Sequence, residues 1–160
     1  MQIRNFMGSD FEQIIQIEME AFTEHNPYIY MNFYELNPEG FFVAEENGII
    51  YGFVMGYLSD ELEGRIFSLA VRSDIRGKGI GTRLLRRILK EFRRLNLQSA
   101  KLEVRESNLK AIDLYKRMGF LECWCEAGYY SDGEDAVVMK KRLLPKHLQK
   151  PEVRTVDNFY

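Results

Sequence analysis

The chain has 160 residues, 46% of them apolar and 29% charged, with 22 Lys and Arg against 24 Asp and Glu for a formal net charge of −2. That balance suits one globular domain and excludes a disordered protein, and the near-neutral charge gives no reason to expect a nucleic acid or an anionic membrane as partner. No apolar run approaches the ~20 residues of a membrane span, and no signal-peptide core follows Met1 to Asn5; the expected location is the cytoplasm.

Met1 to Phe6 alternates and reads as a first strand. Ser9 or Asp10 can cap a helix whose apolar positions are Phe11, Ile14, Ile15, Met19 and Phe22. The aromatic stretch from Asn26 to Tyr34 reads as loop plus short helix. Phe41 to Glu45 and Ile49 to Leu58 are strands joined at Asn47-Gly48, a strong hairpin signal. Arg65 to Val71 is a further strand. A helix over 79–95 carries its apolar stripe at Ile80, Leu84, Leu85, Ile88, Leu89, Phe92 and Leu95. Ala100 to Arg105 is a strand, Ser107 can cap a short helix that ends at Gly119, and Leu121 to Tyr129 and Ala136 to Lys140 are the last strands. The order is β-α-α-β-β-β-α-β-α-β-β, in one domain over 1–144 followed by a polar tail over 145–160. Cys123 and Cys125, two apart on a strand, read as buried or half-buried free thiols. With only His25 and His147 in the chain, no His/Cys cluster has zinc-site spacing, so no metal is expected.

Between a strand and a helix lies Arg76-Gly77-Lys78-Gly79-Ile80-Gly81-Thr82. Glycines there let backbone approach a ligand closely, and the helix start offers unpaired N–H groups and the positive end of its dipole, a site suited to a pyrophosphate. The plainer reading is a tight turn with no ligand. Neither common nucleotide motif fits. A P-loop needs Ser or Thr directly after Gly-Lys, where this chain has Gly79; a dinucleotide fingerprint needs Gly where it has Thr82.

The turn resembles the pyrophosphate loop of the GNAT acetyltransferases, with Arg76, Gly79 and Gly81 in the defining places. Leu102 to Asn108, Ala111-Ile112, Leu114-Tyr115, Gly119-Phe120 and the string from Gly128 to Ala136 are similar to the N-terminal acetyltransferases of the RimI kind and to archaeal and eukaryotic catalytic subunits. The resemblance spans about residues 1 to 143. It implies an α/β (α+β) GNAT fold: a mixed, mostly antiparallel central sheet of about seven strands flanked by about four helices. It implies acetyl-CoA as cofactor, its pyrophosphate on the amides of residues 76–82 and its pantetheine along Leu69-Ala70-Val71. Arg83, Arg86, Arg87, Lys90, Arg93 and Arg94 then form a largely solvated helix face, part of which can attract CoA phosphates.

Acetyl transfer to an amine needs a neutral amine, an aligned thioester and a proton for the departing thiolate. Asn108 and Tyr115 are seven apart, about two helical turns, and share a face. A phenol with pKa ~10 is protonated at neutral pH and can donate to sulfur. The resemblance makes Tyr115 the general acid and Asn108 a CoA contact; on its residue type alone Tyr115 reads as packing. Glu103 lies mid-strand between Leu102 and Val104. Its plainer role is a salt bridge with Lys101 or Arg105, and by resemblance it is the general base, through a water. Glu24 resembles an acidic residue near the substrate N-terminus and is the alternative base. Related archaeal and eukaryotic enzymes often carry histidine where this chain has Arg65, which cannot act as a base. Tyr129 and Tyr130 are expected to wall a peptide groove, and Tyr28 and Tyr30 either join them or fill a satellite core. The function implied is acetylation of protein N-termini. The alternatives are a GNAT enzyme for a small amine or a lysine side chain, or a non-catalytic acyl-CoA-binding module. An auxiliary subunit or ribosome contact, and a monomer or weak homodimer, stay open.

Overall fold

Asn47 and Gly48 take positive φ values, 53° and 80°, as a two-residue hairpin turn requires, and fold β2 (Phe41–Glu46) back onto β3 (Ile49–Asp60). The computed structural model describes residues 1–143; the expected tail lies outside the described residues. Around that hairpin are β1 (Gln2–Asn5), α1 (Phe11–Ala21) and α2 (Pro27–Leu36), then β4 (Glu63–Val71), α3 (Ile80–Arg94), β5 (Ser99–Arg105), α4 (Leu109–Arg117), β6 (Leu121–Glu126) and β7 (Ala136–Arg142). The strands form one sheet in the order β1-β2-β3-β4-β5-β7-β6. Every neighbouring pair is antiparallel except β4 and β5. This is the mixed seven-stranded, four-helix fold expected.

Each face of the sheet buries its own core. Leu84, Leu85, Ile88, Leu89 and Phe92 of α3 pack on Phe42, Val54 and Leu102, while Ile14, Ile17 and Tyr30 of α1 and α2 pack on Phe41, Val43 and Phe53. Burying one such side chain is worth about 1.5–3 kcal/mol before entropic losses, so the helix stripes fix which face each helix covers. No helix among the described residues is long and apolar enough to cross a membrane.

Four local expectations are corrected. The aromatic stretch forms a full helix, α2, whose proline sits in the first turn, where its missing N–H costs no hydrogen bond. Asn108, not Ser107, caps α4, its side chain accepting from the Ala111 amide at 3.2 Å; Ser107 turns to Glu134 instead. β6 ends at Glu126, so Tyr129 and Tyr130 belong to the following loop. Cys123 and Cys125 are exposed, not buried, because β6 is an edge strand left uncovered by any described helix. At α1, Asp10 occupies the cap position, but its carboxylate accepts from Arg4 at 2.7 and 2.9 Å and from the Met7 amide at 2.9 Å.

Candidate active site

The parallel pair β4–β5 is short. Its register runs Glu63↔Ser99, Gly64↔Ala100, Arg65↔Lys101 and stops there. Beyond Arg65, β4 remains paired with β3, and beyond Lys101, β5 remains paired with β7. The two strands therefore part in a V. One edge of β4 from Ile66 to Val71 has no ladder partner among the described residues, so its N–H and C=O groups can pair with an extended ligand. A cavity of about 500 Å³ fills the V, with Phe67, Leu69, Leu102 and Glu103 on its walls.

At the far end of β4 the chain turns through residues 76–79 into α3. Gly77 and Gly79 take φ of 79° and 80°, and a Cβ on either would meet nothing within 4 Å. The amides of Gly77, Lys78 and Gly79 have no hydrogen-bond acceptor among the described residues. The first amides of α3, at Ile80, Gly81 and Thr82, are free of intrahelical partners by helix geometry. Arg76 braces the turn, its Nε donating to the Val71 carbonyl at 2.9 Å, and Ile80 anchors it in the core at 5% exposure. Donors, dipole and open space fit a pyrophosphate, and the free edge at Leu69, Ala70 and Val71 fits a pantetheine arm leading into the V.

Glu103 projects from β5 with only 9% of its side chain exposed. Arg65 Nε donates to its Oε2 at 2.9 Å, and Lys101 Nζ stands 3.6 Å from its Oε1. Lys101 is thus a partner as expected, whereas Arg105 is not: it pairs with Asp132 and Glu134, each at 2.8 Å. Arg65, singled out above only as a residue that cannot act as a base, also pairs with Glu103 and Tyr129, 38 and 64 positions away, which no local sequence pattern shows. Tyr115 enters the cavity from α4 and is buried, with the Phe120 ring 5.8 Å away edge-on. Burial, then the neighbouring Tyr130, pushes its phenol far above the ordinary tyrosine value. Asn108 lines the same cavity from the position immediately before α4.

The mouth is built by two loops. Glu24 lies between α1 and α2, and its Oε1 accepts from the Ser131 amide at 2.7 Å and from the Ser131 hydroxyl. These bonds, with Arg105 behind them, hold its carboxyl below the usual range. Tyr129 and Tyr130 stand edge to face with ring centroids 5.0 Å apart. The Arg105 guanidinium lies 4.0 Å over the Tyr130 ring, and burial raises the Tyr130 phenol to about 12. Tyr30 reaches the cavity from the core, its hydroxyl 3.4 Å from Ser68 Oγ. Tyr28 does not join them; it is 76% exposed on the outside of α2. Phe22 and Phe67 also line the cavity, and neither carries a polar signal by which sequence could single it out.

Residues 10–120 match the Acetyltransferase (GNAT) family model. An uncharacterized N-acetyltransferase of Methanocaldococcus jannaschii is 39% identical over 144 residues, covering 89% of this chain and 92% of the relative. An N-alpha-acetyltransferase of Sulfurisphaera tokodaii is 37% identical over 151 residues, covering 86% and 90%. Among solved structures, Ard1 from Thermoplasma volcanium superposes with a TM-score of 0.86 at 33% identity, covering 89% of this chain and 97% of that one. With the glycine turn, the V between β4 and β5 and the seven-stranded sheet, these matches place the chain in the GNAT acetyltransferase family, as an acetyl-CoA-dependent N-acetyltransferase.

Proposed function

We propose that the chain acetylates the α-amine of protein or peptide N-termini by direct transfer, with Glu103 as general base and Tyr115 as general acid. The observation that supports this most is that both side chains line one cavity whose mouth is walled by Tyr129, Tyr130 and Glu24. An amine entered from that mouth comes to Glu103 with its chain trailing past the tyrosines. The relative from Sulfurisphaera tokodaii is named for the same substrate class.

Acetyl-CoA supplies an activated acyl carbon on a thiol leaving group. The residues 76–82 and the free edge of β4 are the parts of this chain that would orient it. Glu103 takes the proton that the amine nitrogen loses, through a water, as a bond forms from nitrogen to the acyl carbon. Tyr115 gives its phenolic proton to the sulfur as the carbon–sulfur bond breaks. Positioning in the cavity carries several kcal/mol of the barrier. The base has little to do for an N-terminus: at pH 7 an α-amine of pKa ~7.7–8.0 is neutral in about one molecule in ten, a lysine amine in about one in a few thousand.

The test is thiol release from acetyl-CoA with tetrapeptides, lysine side chains in blocked peptides, and polyamines at pH 7. Tetrapeptide N-termini are expected to outrun the others. Faster turnover of lysine or a polyamine would overturn the substrate class and leave the family standing.

A further inference from the structure

Three strands and a loop converge on Arg65. From β4 its side chain donates Nε to Glu103 Oε2 on β5 at 2.9 Å and Nη1 to Tyr57 Oη on β3 at 2.9 Å. Its Nη2 donates to Tyr129 Oη, in the loop before β7, at 2.7 Å. A guanidinium has donors only. Each tyrosine oxygen therefore accepts from Arg65, and each hydroxyl hydrogen must point elsewhere. Tyr57 packs its ring on Phe33, centroids 5.0 Å apart, and is not among the residues lining the catalytic cavity. Tyr129 lines the catalytic cavity, and its hydroxyl donates no hydrogen bond to any of the described residues. What an N-terminal peptide offers to such a donor is a backbone carbonyl oxygen.

We infer that Arg65 is a positioning residue that makes this cleft selective for a peptide backbone, fixing Tyr129 as a hydrogen-bond donor to a substrate carbonyl while the same guanidinium holds Glu103 where the amine arrives. The inference rests on the N-terminal reading above. One planar cation sets the distance between the group that receives the proton and the group that holds the chain. A lysine would keep the charge but not the three fixed donor directions. Three partners on separate elements hold the fork, whose side chain is 25% exposed against 9% for that of Glu103.

The experiment compares kcat/KM for a tetrapeptide with that for the decarboxylated amine of its first residue, which keeps the amine and the side chain and has no oxygen in the place of the carbonyl. The first residue is the best one found in the peptide panel. Arg65→Gln is expected to lower tetrapeptide efficiency at least tenfold more than decarboxylated-amine efficiency, with acetyl-CoA affinity unchanged. Tyr129→Phe should likewise lower the tetrapeptide value at least tenfold more than the decarboxylated-amine value. The double variant should show no further loss of selectivity beyond Arg65→Gln, because both remove one hydrogen bond to the substrate. Arg65→Lys should also lose selectivity, and it and Tyr129→Phe carry the test if thermal melting shows that Arg65→Gln does not fold. Equal losses on both substrates in the Arg65 variants, additive losses in the double variant, or full peptide preference in Arg65→Lys would overturn the inference. A wild-type enzyme without preference for the tetrapeptide would instead overturn the N-terminal reading.

Discussion

Tyr115 reaches the cavity from inside the core, and that position decides its protonation. Its ring packs against Phe120 and its residue is buried, so the charged phenolate is penalised and the proton stays on. A donor that never titrates in the working range is suited to a thiolate that needs a proton at any pH. Tyr115→Phe keeps the packing and removes only that proton. The expected result is a fall in kcat of about 10²–10⁴, the range for a positioned general acid, with little change in acetyl-CoA affinity. Because burial holds the wild-type phenol protonated, the wild-type rate should show no loss attributable to this residue as pH rises from 7 to 10. Pre-steady-state turnover, which separates chemistry from product release, checks both; an unchanged kcat would reduce Tyr115 to packing.

The loop between β6 and β7 shows how an element can be legible in its letters and hidden in its connections. The string from Gly128 to Ala136 marks it by resemblance, but its anchoring is long-range. Glu134 accepts from the Ser107 amide at 3.0 Å, from the Ser107 hydroxyl and from Arg105 at 2.8 Å. These partners, Ser107 first, depress its carboxyl from 4.5 to about 2. A folded value below the unfolded one stabilises the fold fully above pH 4.5 and loses that contribution as pH falls toward 2. Wild type should therefore lose more Tm than Glu134→Gln on going from pH 5 to pH 3, and equal losses would contradict the assignment. Periodicity and capping rules delivered the strands, α1, α3 and the hairpin because those depend on neighbours in sequence. They missed the cap at Asn108 because Ser107, an equally good capper by type, is claimed by Glu134 from 27 residues away. They missed the exposure of Cys123 and Cys125 because alternation does not say which strand ends at the sheet edge. The Arg65 hub was invisible for the same reason: Tyr57, Glu103 and Tyr129 meet only once the sheet order is known.

The whole molecule turns on the point where β4 and β5 are still paired before they part. Gly64 sits there, opposite Ala100, and the Phe92 ring of α3 lies directly over it. A Cβ on Gly64 would fall 2.6 Å from two Phe92 ring atoms and 2.7 Å from a third, and one on Gly56 would fall 2.9 Å from the ring. Two glycines on neighbouring strands thus form a socket for one aromatic side chain, and that seat brings α3 close to the sheet. The other end of α3 carries the glycine turn, so the seat and the cofactor site belong to one rigid helix about 22 Å long. Gly64→Ala forces the ring, already fully enclosed, to shift; overpacking of this kind costs about 1–3 kcal/mol. At roughly 2–4 °C per kcal/mol for a chain of this size, Tm should fall by about 2–12 °C. Phe92→Leu alone should also destabilise, by leaving a cavity. In combination with Gly64→Ala the smaller side chain makes room for the new methyl, so the double variant should be more stable than the sum of the single losses predicts. Thermal unfolding of the four proteins checks this. Strict additivity would mean that the methyl is absorbed elsewhere and that the socket does not set the seat of α3.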